Sequence, residues 1–282
     1  VRVLLVSTYE LGHQPLHLAA PAAALRAAGH DVAVLDTSVE PWDPAAVDAV
    51  DAVAFSVPMH TATRLAVAAA TAVKQRRPDL PIAFYGLYAA IGGDAVDDLA
   101  DIVISGEYAE PLVAWASDRT SGLAGGGEAS PSPGPVLPWR AELPELSRYG
   151  RLRIGGEERT AGYVEASRGC VHRCRHCPLP VVYDGRIRIV AVDSVVADVA
   201  QQVAAGARHI TFGDPDFLNG PHHSRRVVSA VHAAFPDLTF DCTVKVEHIL
   251  RHGDMWPDLA AAGCLFVVSA LESVNDDVLR RL

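Results

Sequence analysis

The sequence predicts an α/β protein built as two regions of repeating βα units. Three observations predict it. Short, nearly continuous apolar runs such as VRVLLV and AVAFS alternate with longer Ala-rich segments. A Gly-, Ser- and Pro-rich stretch, SGLAGGGEASPSPGPVLP from Ser121 to Pro138, has no hydrophobic period and separates the regions. After it, βα alternation resumes behind a hairpin pattern centred on Gly155-Gly156. Apolar runs without polar alternation suit parallel strands buried on both faces.

In the first region, residues 1–120, strands are expected at Val1–Ser7, Asp31–Asp36, Ala52–Ser56, Pro81–Tyr85 and Asp101–Ile104. Helices are expected at Leu16–Ala28, Thr61–Arg77, Asp94–Leu99 and Ala109–Ser117. Five such units make a doubly wound, flavodoxin-like (Rossmann-type) sheet, whose ligand crevice lies at the carboxyl ends of the strands. Residues 121–150 read as linker. In residues 151–282 a hairpin, Arg151–Ile154 with Glu157–Val164, leads into strands at Tyr163–Ser167, Arg208–Phe212, Thr239–Thr243 and Leu265–Ala270. Helices follow at Val192–Ala205, His223–Ala234, Asp254–Ala262 and Asn275–Leu282. This is the beginning of a (β/α) barrel with its site at the strand carboxyl ends. It is expected to be partial, stopping after four βα units.

Composition narrows the function. The formal net charge is −10 with no basic stripe, so neither nucleic acid nor an anionic membrane is expected as partner. No apolar run approaches the roughly 20 residues that span a bilayer. A cytoplasmic setting is expected, where thiols stay reduced. There are 5 cysteines, an odd number, which argues against a disulfide framework.

Three of them lie in GCVHRCRHCP: Cys170, Cys174 and Cys177, spaced Cys-x3-Cys-x2-Cys directly after an expected strand. Thiolates are the usual ligands of iron–sulfur clusters, and three on one loop leave one iron of a cubane open. Arg168, Arg173 and Arg175 flank them and favour thiolate. The alternative is a Cys3His zinc site using His172 or His176. No second cysteine pair supports zinc, because Cys242 and Cys264 stand alone and read as small apolar residues.

The segment SRGCVHRCRHCP resembles the signature of the radical S-adenosylmethionine (SAM) superfamily. The resemblance covers roughly residues 151–282 and implies a [4Fe–4S] cluster on the three cysteines, with SAM chelating the open iron. It implies reductive cleavage of SAM to methionine and a 5′-deoxyadenosyl radical. By the same resemblance Gly213, Asp214, Asp216, Lys245, Ser269 and Glu272 are candidate SAM contacts. His176 stands where relatives usually carry an aromatic residue whose backbone lies near adenine. The first region is similar to the cobalamin (B12)-binding domain of B12-dependent radical SAM enzymes. The segments SVPMHT, FYGLYAAIGGD and VISGEYAEPL fall at comparable loops. Tyr9, Ser56, Pro58, Thr61, Gly86, Gly92, Gly106 and Glu107 are then candidate cobalamin contacts. The Asp-x-His-x-x-Gly motif of base-off cobalamin proteins is absent, which permits cobalamin without supporting it. The layout is also similar to a subgroup with Cys- or selenocysteine-bearing C-terminal tails.

The resemblance implies methylation or rearrangement of an unactivated small-molecule or peptide substrate, with a flavodoxin or ferredoxin as reductant. Two other readings stand beside it. One is a cobalamin-independent radical SAM enzyme whose first region is a substrate or scaffold domain. The other is a non-catalytic zinc-binding ligand sensor. A methylthiotransferase is excluded, since residues 1–140 lack the cysteines for a second cluster. His13 and His17 lie one helical turn apart but have no evident third metal ligand, so polar contacts at a helix start are expected of them. His222 and His223 read as helix-start residues. Trp42 and Trp139 read as packing at domain edges.

Overall fold

The computed structural model describes residues 1–121 and 136–281, in two compact units, Val1–Pro144 and Glu145–Leu282. Most of the Gly/Pro/Ser-rich stretch lies outside the described residues. Trp139 to Pro144, grouped with the linker in the sequence, belong to the first unit. The Trp139 amide donates to Ala19 O at 2.8 Å, Arg26 lies over the Trp139 ring at 4.4 Å, and Leu143 is buried.

The first unit runs β1 (Arg2–Ser7), α1 (Leu16–Ala27), β2 (Asp31–Asp36), β3 (Ala52–Ser56), α2 (His60–Arg76), β4 (Ile82–Tyr85), α3 (Asp94–Asp97), β5 (Ile102–Ile104) and α4 (Ala109–Ser121). All five strands are parallel, in the order β2-β1-β3-β4-β5. Every residue of β3 and β4 is buried, as expected of central strands covered by helices on both faces. One face packs on α1 and α4 through Leu5, Leu18, Leu25 and Leu112. The other packs on α2 through Val53, Phe55, Ala66 and Val73. The strand order reverses between β1 and β3, so the crevice opens where Ser7 and Ser56 pair in register. Trp42 packs on Phe55 with ring centroids 6.5 Å apart.

The second unit runs β6 (Arg151–Ile154), β7 (Glu157–Val164), β8 (Ser167–Gly169), α5 (Leu179–Tyr183), β9 (Ile187–Ile189), α6 (Val192–Ala204), β10 (His209–Phe212), α7 (Pro221–Ala234), β11 (Thr239–Thr243), α8 (Val246–Arg251), α9 (Trp256–Ala261), β12 (Cys264–Val268) and α10 (Asp276–Leu279). Its main sheet has the order β12-β11-β10-β7-β6, with β7, β10, β11 and β12 parallel and β6 antiparallel at the edge. This is a half-barrel sheet with helices on one face. Val164, Ile210, Phe212, Phe240 and Cys242 point into the helix-covered core. Their alternating neighbours make a polar inner face, where Asp241 Oδ1 meets His209 Nε2 at 2.8 Å and accepts from Thr211 Oγ1 at 2.7 Å.

Two differences from the expected layout bear on the site. The hairpin strand and the first parallel strand are one strand, β7, which ends at Val164 and not Ser167. Residues Ser167–Gly169 instead form β8, which pairs antiparallel with β9. The hairpin partner β6 reaches only Thr160, so the outward backbone of Tyr163 has no strand beside it. Gln202 of α6 fills that place: its Oε1 accepts from Tyr163 N at 2.8 Å and its Nε2 donates to Tyr163 O at 3.2 Å. A Cβ at Gly162 would lie 2.6 Å from that amide oxygen, so glycine admits the approach.

Cys242 is fully buried, as expected, but Cys264 only partly, and the Cys264 thiol donates to Phe266 O at 3.6 Å. The last helix is shorter than expected: Asn275 caps α10 by accepting from Asp277 N and Val278 N. Among the described residues, no helix is long and apolar enough to cross a membrane.

Candidate functional site

The cysteine loop is set by the strand exit before it. After β7, the Ala166 amide and the Ser167 hydroxyl both donate to the Asp214 carboxylate, at 2.8 and 2.6 Å. Asp214 is only 2% exposed, and burial pushes its carboxyl up to about 7, against the pull of those two donors. The β8–β9 ribbon then turns the chain. Gly169 has φ +78°, and a Cβ there would lie 2.3 Å from Arg186 O. Only glycine fits this entry to the loop.

Cys170, Cys174 and Cys177 are all free and partly buried. Cys170 Sγ lies 3.7 Å from Asn219 Oδ1, and the Cys177 amide donates to Cys174 O at 3.3 Å. Burial pushes the Cys177 thiol up, and the nearby Cys174 and Cys170 add to this. A bound cation reverses that balance by favouring thiolate. Of the flanking arginines, Arg168 pairs with Glu165 at 3.0 Å and Arg173 with Asp184 at 2.9 Å.

The remaining candidate SAM contacts separate into two groups. Gly213 follows β10 beneath the Tyr163 ring, and a Cβ there would meet Tyr163 Oη at 1.9 Å. Asp214 and Asp216 are buried and turned into the protein, where sequence reasoning set them at the open mouth. Asp216 caps the turn Phe217–Asn219 through Leu218 N at 3.2 Å, and its Oδ2 lies 2.7 Å from His248 Nδ1. Lys245 occupies the N-cap position of α8; its Nζ lies 3.2 Å from His172 Nδ1 and 3.6 Å from Glu247 Oε2. The second group stays accessible at the strand carboxyl ends. His176 Nε2 lies 3.4 Å from Glu272 Oε1, Glu272 holds a left-handed φ of +59°, and Ser269 is exposed just past β12. His223, expected only to start a helix, is buried with Nε2 3.2 Å from Ala166 O. His172 and His248, with Asp216, are what sequence reasoning missed as a group.

In the first unit, Ser56 is buried at the end of β3 beside Tyr85, Pro58 is partly buried, and Thr61 is exposed in the first turn of α2. Gly86 has φ +115°, and its Cβ position lies 3.2 Å from Val57 C and O, so the loops after β3 and β4 close against each other there. Gly92 lines a cleft of about 320 Å³ with His60, Thr63, Arg64, Tyr88 and Ile91. Gly106 has φ +77°, and Glu107 is exposed after β5. Tyr9 is partly buried after β1. His17 Nδ1 pairs with Glu10 Oε2 at 3.0 Å; His13 and His17 form no metal group among the described residues. Burial raises the Tyr85 phenol well above its ordinary value, and its hydroxyl donates to His17 O at 2.7 Å. At the strand reversal, Ser7 Oγ and Glu10 Oε1 are buried without a hydrogen-bond partner. Buried polar atoms of this kind call for an external partner, and a corrin edge with amide side chains offers donors and acceptors for them.

Comparison with known proteins agrees with both halves. The B12 binding domain family matches residues 2–116, and the Radical SAM superfamily matches residues 164–282. No curated protein shows significant sequence similarity to the chain. Among solved structures, the chain is similar to the radical SAM methyltransferase TsrM from Kitasatospora setae. One such structure has tryptophan substrate and the SAM analogue aza-SAM bound; another has cobalamin and a [4Fe–4S] cluster bound. Each aligns with a TM-score of 0.70 and 19% identity over 99% of this chain, a likeness of fold. The chain spans 60% of the TsrM chains. Residues 2–116 are thus a B12-binding domain, and residues 164–282 belong to the radical SAM superfamily.

Proposed function

We propose that the chain is the cofactor-binding part of a B12-dependent radical SAM enzyme that methylates or rearranges an unactivated substrate. One observation carries this reading. A B12-binding domain without cysteine precedes a half barrel whose first parallel strand leads into one loop with three free thiols. When bound, a [4Fe–4S] cluster with SAM supplies one-electron cleavage of SAM to methionine and a 5′-deoxyadenosyl radical. The protein's part is placement. Cys170, Cys174 and Cys177 hold the cluster, Asp214 fixes the exit of β7, and Gly169 lets the loop turn. His176, Ser269 and Glu272 are the groups left at the mouth to orient SAM. Ser7, Glu10 and the cleft beside Gly92 are the first unit's contribution to cobalamin. The resemblance to a methyltransferase fold supports methyl transfer over rearrangement. A small-molecule or peptide substrate, a flavodoxin- or ferredoxin-type reductant and a cytoplasmic setting complete the proposal.

Anaerobic purification and reconstitution test it. About four irons and four sulfides per chain are expected, with retained cobalamin and SAM turned over on reduction. Products then divide the chemistry: S-adenosylhomocysteine with 5′-deoxyadenosine marks radical methylation, and S-adenosylhomocysteine without 5′-deoxyadenosine marks polar methyl transfer. Cys170→Ala, Cys174→Ala and Cys177→Ala should each lose the cluster. An intact cluster in any of the three would overturn the ligand assignment. A cluster without cobalamin would leave a cobalamin-independent enzyme.

A further inference from the structure

We propose that His172, Asp216 and His248 form a binding site for one divalent transition-metal ion, separate from the cysteine cluster. Each residue offers one ligand atom, and the three lie within 4.8 Å of one another; the unpartnered atoms there are His172 Nε2, Asp216 Oδ2 and His248 Nδ1. Asp216 Oδ2 lies 2.7 Å from His248 Nδ1 and 3.7 Å from His172 Nε2. Zinc bonds of about 2.0–2.1 Å at tetrahedral angles set ligand atoms about 3.3 Å apart, a value these distances bracket.

The second observation is burial without satisfaction. The Asp216 and His248 side chains are 3% and 6% exposed. All three ligand atoms are buried and make no hydrogen bond, although they face one another. The 2.7 Å contact lacks the alignment of a hydrogen bond. Three buried polar atoms that converge without satisfying each other lack a common partner, and a cation is a partner for all three. Two imidazoles and one carboxylate suit zinc or ferrous iron. The surroundings agree. Asp216 Oδ1 is occupied by Leu218 N, which fixes the carboxylate and leaves Oδ2 for the ion. Lys245 Nζ lies 3.2 Å from His172 Nδ1. Ligation through Nε2 leaves the ring proton on Nδ1, so the ammonium turns to Glu247 Oε2, now 3.6 Å away.

His172 comes from the loop after β8, Asp216 from the loop after β10, and His248 from α8, which follows β11. An ion there pins the cysteine loop, through His172 between Cys170 and Cys174, to the two neighbouring strand ends. Its role is structural.

The test is zinc counting on the full chain with its cluster assembled. Protein is incubated with zinc chloride, desalted and analysed for zinc, iron and sulfide. About one zinc per chain beyond the cluster is expected. Asp216→Asn keeps the Oδ1 cap and should lose that zinc, as should His248→Ala, with circular dichroism unchanged. His222→Ala, outside the triad, should keep it. The triple variant Cys170→Ser, Cys174→Ser, Cys177→Ser should also keep it, which separates this site from the cluster and from the radical SAM reading. Wild-type protein that retains no zinc would overturn the proposal. So would a zinc count unchanged in both Asp216→Asn and His248→Ala, or zinc that disappears with the three cysteines alone.

Discussion

Asp214 couples the stability of the cluster-bearing unit to pH in a direction opposite to that of an ordinary paired carboxylate. Its carboxyl is pushed from 3.8 to about 7 by burial. In the unfolded chain it ionises near its ordinary value, so between those two limits the folded state holds a proton that the unfolded state has released. The contribution to stability is therefore full at low pH and is lost as pH rises through the folded value. The whole shift of about three pH units corresponds to about 4 kcal/mol. Of this, about 2 kcal/mol falls between about pH 5.5 and pH 8. The perturbation is Asp214→Asn. An amide accepts from Ala166 N and donates to a rotated Ser167 hydroxyl, so the contacts survive and the titration does not. Amide exchange at Ile210, in the centre of the half barrel, reads unfolding of this unit. Comparing both proteins at each pH cancels the intrinsic exchange rates. Wild type should lose about 2 kcal/mol relative to the variant from about pH 5.5 to pH 8. A difference that is flat, or that favours wild type as pH rises, would refute the reasoning.

Gly213→Ala forces the Tyr163 ring aside and should cost about 1–3 kcal/mol. Denaturant unfolding checks it, and Tyr163→Ala in the same chain should recover most of the loss. Gly169→Ala collides with backbone at Arg186 and should leave the chain folded but with most of its cluster iron missing after reconstitution. Iron and sulfide equal to wild type would count against the tight entry to the loop. Gln202→Leu strands the Tyr163 N–H and C=O and should destabilise the second unit by about 2–4 kcal/mol. A change within about 0.5 kcal/mol would mean that water takes the amide's place.

The parallel strands of the first unit were legible because runs such as AVAFS have no polar alternation, and only a doubly covered strand tolerates that. The cysteine loop was legible from spacing alone. The β8–β9 ribbon was not: SRG and IRI are three residues each, too short for any period to register. Positive φ at Gly169 and Gly185, and the alternation Ile187-Arg188-Ile189, were the available signals. Asp214 and Asp216 follow a strand, as expected, with their carboxylates turned to protein partners. Two aspartates at a strand end read equally as mouth ligands or as caps, and the choice depends on what the loop of another strand presents. Ala166, His172 and His248 are such partners, far away in sequence. The His172–Asp216–His248 group is invisible to motif spacing for the same reason.

The division of labour in the second unit follows from that burial. A loop that holds a redox cluster at a strand end needs rigidity on one side and access on the other. Rigidity here comes from below: Asp214 ties β8 to the end of β10, Asn219 meets Cys170 and the Val171 amide, and Asp216 meets the cysteine loop through His172. Each of these contacts crosses from the β10 loop to the chain leaving β7, the nearest parallel neighbour. Access comes from above, where His176 and Glu272 face each other at partial exposure and Ser269 lies open. The carboxylates of Asp214 and Asp216 are turned to protein partners, and the accessible polar side chains beside the loop are those of His176, Ser269 and Glu272. The buried carboxylates therefore brace the loop from the β10 side, and the exposed residues face solvent beside it.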